Sequence, residues 1–508
     1  MDQLSQKIGS TVERYVRDSL GIAAKIPGSA YLGRYILKSH QNDPARTIFE
    51  ILLFLFALRY FFASKQSYSK RDYVQLSDAE VEELIEEWQP EPLVKPVSAE
   101  EEMLLEEVPV LGDTSGGFAT LAASQGSDRL LNMCSTNLYG LSKDPEVMAK
   151  AVEKVKFYGV GSCGPAGFYG NQDAHVKCEQ SLAQFLGTEG AILYSQGVST
   201  APSVIPCFAK RGDVLVVDDA VSMPLQRGVQ LSRAKVLYFA HNNMAHLEQQ
   251  LAKAVAAHRG AKRLPRRFII SEGLFEYTGD SPDLAKIVEL KQKYKFRLIL
   301  DESWSLGVLG KCGRGLCEEL GVARRDVDVT IGSLATALGT YGGFCAGSHA
   351  VVEHQRIVSL AYTFSATEPP YLADCTTLIV NKMNSGEFSE RIRALRTKAE
   401  LFTSLLKKHS TMELLSRPDS PIIIFQVNGG DKIDDDNLAV SRLLHRVVMT
   451  ARKHGLLIAR LGQIEEWETF ELVNAIKLYL PLALPDADVR RTVEALAKSV
   501  KQAIAEFS

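Results

Sequence analysis

Two acidic turns and one glycine-bounded segment hold the side chains best placed for chemistry. Asp301-Glu302-Ser303-Trp304 follows the apolar run Leu298–Leu300, and Asp218-Asp219-Ala220-Val221-Ser222 follows Val214–Val217. A carboxylate just beyond a buried strand can keep a heteroaromatic ring nitrogen protonated, which makes that ring an electron sink. The same Asp also serves as an ordinary helix cap, so this turn by itself leaves both readings open. The third stretch is Gly332-Ser333-Leu334-Ala335-Thr336-Ala337-Leu338-Gly339. Its central polar residue, Thr336, has a hydroxyl and no amine, so it cannot form an imine with a carbonyl cofactor.

Two further segments have the composition of contact loops. Gly159 to Gly170 is dense in glycine and contains Cys163, Gly164, Phe168 and Tyr169. Such a loop permits close backbone approach to a ligand or to another chain, or a tight structural crossing. No neighbouring His or Asp supports Cys163 as a nucleophile, so it reads as a small packing residue. His175 and Glu179 follow at i, i+4 on one helix face, where a lone His is more often structural than ligating. Phe364-Ser365-Ala366-Thr367-Glu368-Pro369-Pro370 offers hydroxyl and amide donors that suit a phosphate.

The elements that must position these groups alternate. Ala191–Tyr194, Val214–Val217, Val236–Phe239, Phe268–Ile270 and Leu298–Leu300 read as buried strands, with amphipathic helices such as 244–257 and 284–294 between them. This pattern predicts an α/β fold: a mostly parallel sheet covered by helices on both faces, with its site at the carboxyl ends of the strands. Four zones are expected. Residues 1–65 form a membrane-associated arm. Residues 66–130 form a linker with an acidic helix near 78–87. Residues 131–370 are the large domain, and 371–508 a smaller α+β domain ending in a helix near 486–507.

The run Ile48 to Ala63 (IFEILLFLFALRYFFA) predicts a transmembrane helix, with Lys65, Lys70 and Arg71 as a cytosolic flank. Residues 12–37 could supply helices lying on the membrane surface. A net charge of -3 gives no reason to expect nucleic acid as a partner. The eight cysteines include no CxxC pair and predict no metal site.

The Gly332–Gly339 segment resembles the Gly-(Thr/Ser)-Leu-x-Lys-Ala-Leu-Gly loop of the α-oxoamine synthases, which are pyridoxal-phosphate proteins of the aspartate-aminotransferase-like fold. Thr336 stands where that family has its Schiff-base lysine. Asp301 matches the family's ring-nitrogen carboxylate. Trp304 and Ser222 stand where the family has histidines. Three ring-handling positions changed in register imply a vestigial pocket comprising Asp301, Trp304, Ser222 and His175, with no catalytic residue in this chain.

Glu86-Glu87-Trp88-Gln89-Pro90-Glu91-Pro92-Leu93-Val94, the Tyr158–Gly170 loop and Gly307-Val308-Leu309-Gly310 narrow the resemblance. They look like the first long-chain-base subunits of eukaryotic serine palmitoyltransferases, and Lys38–Thr47 looks like the fungal form. The resemblance implies condensation of L-serine with palmitoyl-CoA to 3-ketosphinganine at the endoplasmic reticulum membrane, with the large domain cytosolic. It implies that pyridoxal 5'-phosphate is bound covalently by a homologous second long-chain-base subunit in a heterodimer. A small activating subunit and Orm-type regulators are the further partners it implies. Ser365, Ala366 and Thr367 would then contact the partner's cofactor phosphate. Cys163, Gly164, Phe168 and Tyr169 would line the interface or substrate path. Two alternatives stand beside this reading: a membrane scaffold with no active-site contribution, and an independent enzyme using Lys210, Lys291 or Lys311.

Overall fold

The computed structural model describes residues 44–62, 76–90, 92–115, 117–122, 129–428, 437–462, 469–470 and 472–507, with Tyr31, Arg34, Tyr35 and Lys38 as isolated positions. It divides into two compact units, residues 1–95 and 96–508.

The first unit contains the helices Pro44–Phe62 and Asp78–Glu87. Ser77 caps the second, its hydroxyl accepting from the Glu80 N–H while the Glu80 carboxylate accepts from the Ser77 N–H, a reciprocal capping box. The Pro44–Phe62 helix has 19 residues, which at ~1.5 Å per residue is about 28 Å long. Its sequence includes Arg46, Glu50 and Arg59, and among the described residues no helix is long and apolar enough to cross a membrane. The expected transmembrane span at 48–63 is corrected accordingly: a helix forms there, but charges near both ends shorten its apolar run. Its large side chains, Phe49, Leu52, Phe54, Phe56, Tyr60 and Phe61 among them, are exposed. Most of 12–37, together with Lys65, Lys70 and Arg71, lies outside the described residues.

The second unit begins with the helix Ala99–Glu107 and the strands β1 (Leu111–Ser115), β2 (Phe118–Leu121) and β3 (Arg129–Asn132). The large central sheet follows: β4 (Gly190–Tyr194), β5 (Val214–Asp218), β6 (Lys235–Phe239), β7 (Arg267–Glu272), β8 (Arg297–Asp301), β9 (Val329–Ser333) and β10 (Gly343–Gly347). Its order is β4-β10-β9-β8-β7-β5-β6. The ladders from β9 to β6 are parallel, whereas β10 runs antiparallel to both β9 and β4. The predicted sheet and all five predicted strands are present. β9 and β10 were not anticipated, because Thr330, Gly332, Gly343 and Gly347 interrupt their apolar patterns.

Side chains alternate across this sheet into two cores. Val214, Val216, Ile269, Leu298 and Leu300 pack on one face, and Leu215, Val217, Phe268, Ile270 and Ile299 on the other. Burial on both faces explains why these strands read as continuous apolar runs.

The remaining strands are β11 (Met412–Leu414), β12 (Ile422–Val427), β13 (Leu456–Leu457), β14 (Ala459–Arg460) and β15 (Ile476–Tyr479). They form a sheet β11-β12-β15-β14, while β13 joins β3 to complete β1-β2-β3-β13. The helices Ser389–Leu406, Asn437–Lys453 and Asp486–Phe507 share a core with this sheet through Phe402, Phe425, Val447, Leu478 and Leu496. A buried ion pair, Arg460 Nε to Glu107 Oε1 at 2.7 Å, ties the first helix of this unit to its last third.

Candidate functional site at the carboxyl edge of the central sheet

Asp301 ends β8 and lies opposite Glu272, the last residue of β7. Both carboxyls are buried. Burial, reinforced at Glu272 by the neighbouring Asp301, holds both above the ordinary carboxylate range. Asp301 Oδ1 accepts the Ser303 N–H at 2.7 Å. Glu272 accepts backbone N–H groups from Ser222 at 2.5 Å and from Glu276 at 3.1 Å. Ser222 is the N-cap residue of the Met223–Ser232 helix, so Glu272 pins the start of that helix.

Trp304 stacks on Tyr479 of β15, with ring centres 5.3 Å apart and planes 4° from parallel. Lys477 brings its ammonium to 5.1 Å from the Trp304 ring centre and 3.0 Å from Glu276 Oε1. Burial works against that charge, but Glu276 and Tyr479 keep the ammonium protonated above its usual range. Thr336 is buried, and its hydroxyl donates to the Ser303 carbonyl at 2.6 Å.

These residues do not fit a covalently held pyridoxal phosphate. The group at position 336 has no amine and is already committed to a backbone carbonyl. Trp304 spends its ring face on Tyr479, and Ser222 has no ring to stack. Lys477 is an ion-paired, charged amine, the wrong state for a nucleophile. Of the alternative lysines, Lys291 is engaged by Asp328 and by the Asp326 carbonyl, away from this edge. Among the described residues, no group of three or more His, Cys, Asp and Glu side chains is arranged to hold a metal ion.

A second cluster assembles two segments about 200 residues apart in sequence. Pro165 bridges Ala366, and the Thr367 N–H donates to the Gly164 carbonyl at 2.9 Å. Ser162 Oγ returns a bond to the Thr367 carbonyl at 2.8 Å. Gly170 is required by close approach: a Cβ there would lie 1.9 Å from the Gly164 carbonyl oxygen. Cys163 is exposed and has a left-handed backbone, φ 59°. Around the joined loop and turn, Phe157, Val160, Phe168, Tyr169, Leu360 and Phe364 are exposed, Tyr169 at 97%. Apolar exposure of this kind marks a contact surface.

His175 belongs with this cluster. Its Nδ1 accepts the Gln172 N–H at 2.9 Å, and its Nε2 lies 2.8 Å from the Glu368 carbonyl. It therefore supports the Ser365–Thr367 turn, whereas Asp301, Trp304, Ser222 and Thr336 gather at the strand ends.

Four further features had no motif to announce them: Lys477, Tyr479, Glu272 and a half-buried His241–Asp218–Asp280 set. His241 Nδ1 is 2.8 Å from Asp218 and Nε2 is 3.1 Å from Asp280. An apolar-polar alternation in Ile476-Lys477-Leu478-Tyr479 was the only available sign of the first two.

The central sheet with its acidic strand-end turn and small α+β partner defines a pyridoxal-phosphate-type transferase scaffold, and the chain belongs to the aminotransferase class I and II family, whose model matches residues 128–462. Within it, the chain is a serine palmitoyltransferase 1 homologue. It is 35% identical to serine palmitoyltransferase 1 of Saccharomyces cerevisiae, over 94% of this chain and 93% of that one. It is 37% identical to long chain base biosynthesis protein 1 of Arabidopsis thaliana, over 83% and 85% respectively. A solved serine palmitoyltransferase from S. paucimobilis shares the fold at a TM-score of 0.69, with 22% identity over 80% of this chain and 96% of that one.

Proposed function

We propose that this chain is the subunit of a heterodimeric serine palmitoyltransferase that lacks the Schiff-base lysine; the complex condenses L-serine with palmitoyl-CoA to 3-ketosphinganine. A homologous long-chain-base subunit 2 holds pyridoxal 5'-phosphate on its own lysine. The cofactor supplies electron withdrawal from the amino acid. This chain binds and orients: its Cys163 loop and Ser365–Thr367 turn meet the partner, the exposed Ser365 hydroxyl serves the partner's cofactor phosphate, and Thr367, whose N–H and hydroxyl both donate to the Gly164 carbonyl, holds the turn against the loop.

One observation carries this reading. Thr336 closes the chain's own pocket with a hydroxyl tied to Ser303, while the loop and turn that face outward remain hydrogen-bonded into one apolar surface. A scaffold that had lost all contribution to the site would have no need to keep that geometry. We place the chain at the endoplasmic reticulum membrane with its large domain cytosolic. The exposed apolar side chains of Pro44–Phe62 would be buried by lipid or by a membrane-embedded partner. A small activating subunit and Orm-type regulators are the proposed further partners.

Co-purification with the lysine-bearing partner tests the reading. The complex turns over, the isolated chain does not, and Thr367→Val lowers cofactor retention by the partner. Turnover by the isolated chain would refute the assignment. Full activity and retention in both Thr367→Val and Gly170→Ala complexes would favour the scaffold.

A further inference from the structure

A cavity of about 570 Å³ opens at the edge of the central sheet opposite the strand-end site. It lies where β7, β8 and β9 begin and β10 ends, so Phe268, Arg297 and Val329 line it alongside Gly347. Its volume is in the range of small-molecule sites. Its lining combines guanidinium groups with an aromatic wall. Arg324 is neutralised by Glu302 at 2.8 Å, and Asp328 by Lys291. Arg297 and Arg325 are exposed and have no carboxylate partner among the described residues.

Gly347, Ser348 and Ala350 bring the N-terminus of the His349–Val358 helix to the same cavity. That helix end favours anions, and Glu189 already accepts the His349 N–H at 3.0 Å. Two free guanidinium groups against one resident carboxylate leave a positive surplus. Phe208 and His354 also line the cavity and pack against each other, with ring centres 5.5 Å apart and planes at 39°.

We propose that this cavity binds a mononucleotide, with the phosphate on Arg297 and Arg325 and the base against Phe208 and His354. Two guanidinium groups can grip a phosphate through paired N–H donors, and the aromatic wall supplies area for the base. The site is independent of the strand-end pocket, so occupancy would act as a regulatory input rather than as substrate binding.

Equilibrium dialysis of the complex with radiolabelled AMP tests this. Saturable binding is expected below about 1 mM, weakened roughly tenfold or more in the Arg297→Ala/Arg325→Ala double variant. Both arginines are exposed, so the variant should keep its fold, which circular dichroism checks. Adenosine and ribose 5-phosphate should each compete at least about tenfold less well than AMP, because each lacks one half of the recognition. The proposal is overturned if no saturable binding appears up to about 5 mM AMP, if the double variant binds equally well, or if inorganic phosphate competes as well as AMP.

Discussion

At the scale of single residues, Thr336 and His241 make contrasting predictions. The Thr336 hydroxyl has a structural partner, the Ser303 carbonyl. Thr336→Val should therefore destabilise the chain by about 1 kcal/mol in denaturant unfolding. Turnover of the complex should change by less than about twofold, because the barrier would move by under ~0.5 kcal/mol. A large loss of turnover in a stably folded variant would give Thr336 a chemical role. His241 behaves as a half-buried cation. Burial opposes its charge, yet the hydrogen bonds and charges of Asp218 and Asp280 push its pKa up from 6.5 to about 10. A raised histidine stabilises the fold fully below its unfolded pKa and loses that contribution as pH rises through the folded one. Wild-type stability should thus fall between pH 6.5 and about 10, and His241→Gln should flatten that part of the profile. Urea midpoints at several pH values measure it.

Elements set the next level. The loop 159–170 and the turn 364–370 are two pieces of one structure, joined at Gly170, Gly164 and Thr367. Gly170→Ala forces a methyl group into the Gly164 carbonyl and should cost about 1–3 kcal/mol, as overpacking does. Thermal unfolding reads the cost, and partner binding should weaken with it. The ends of β7 and β8 hold a different kind of tension, because Glu272 and Asp301 face each other in a buried register. Their pKa values are raised, so their stabilising contribution is complete only below the unfolded carboxylate range and falls as pH rises toward neutrality and beyond. Asp301→Asn should make stability less sensitive to pH on that alkaline side. It should leave turnover intact if Asp301 is inherited rather than working.

At the scale of the whole molecule, the second unit exposes an apolar face around Phe168, Tyr169 and Phe364. Aromatic side chains in such a place supply much of an interface's energy, often ~2 kcal/mol or more each. Phe168→Asp with Tyr169→Asp should dissociate the complex in sedimentation while leaving the unfolding midpoint of the isolated chain nearly unchanged. Retained association would move the interface elsewhere.

Much of this was legible before any coordinates. The five apolar strands stood out because they are buried on both faces. The Asp78–Glu87 helix showed through its acidic run, and Thr336 through a glycine-bounded motif. β9 and β10 were hidden by glycines needed for close packing, as at Gly332, where a Cβ would meet the Phe344 ring at 2.3 Å. Covalent chemistry at position 336 was decided by residue type alone, since no tertiary structure gives threonine an amine. Only the tertiary structure could decide what took the place of that chemistry. The stacking of Trp304 on Tyr479, the Lys477 ammonium beside them and the joining of Gly164 to Thr367 all depend on contacts between residues 173 or more positions apart. Local periodicity carries no information about such pairs, because they are fixed by how elements distant in sequence pack on each other.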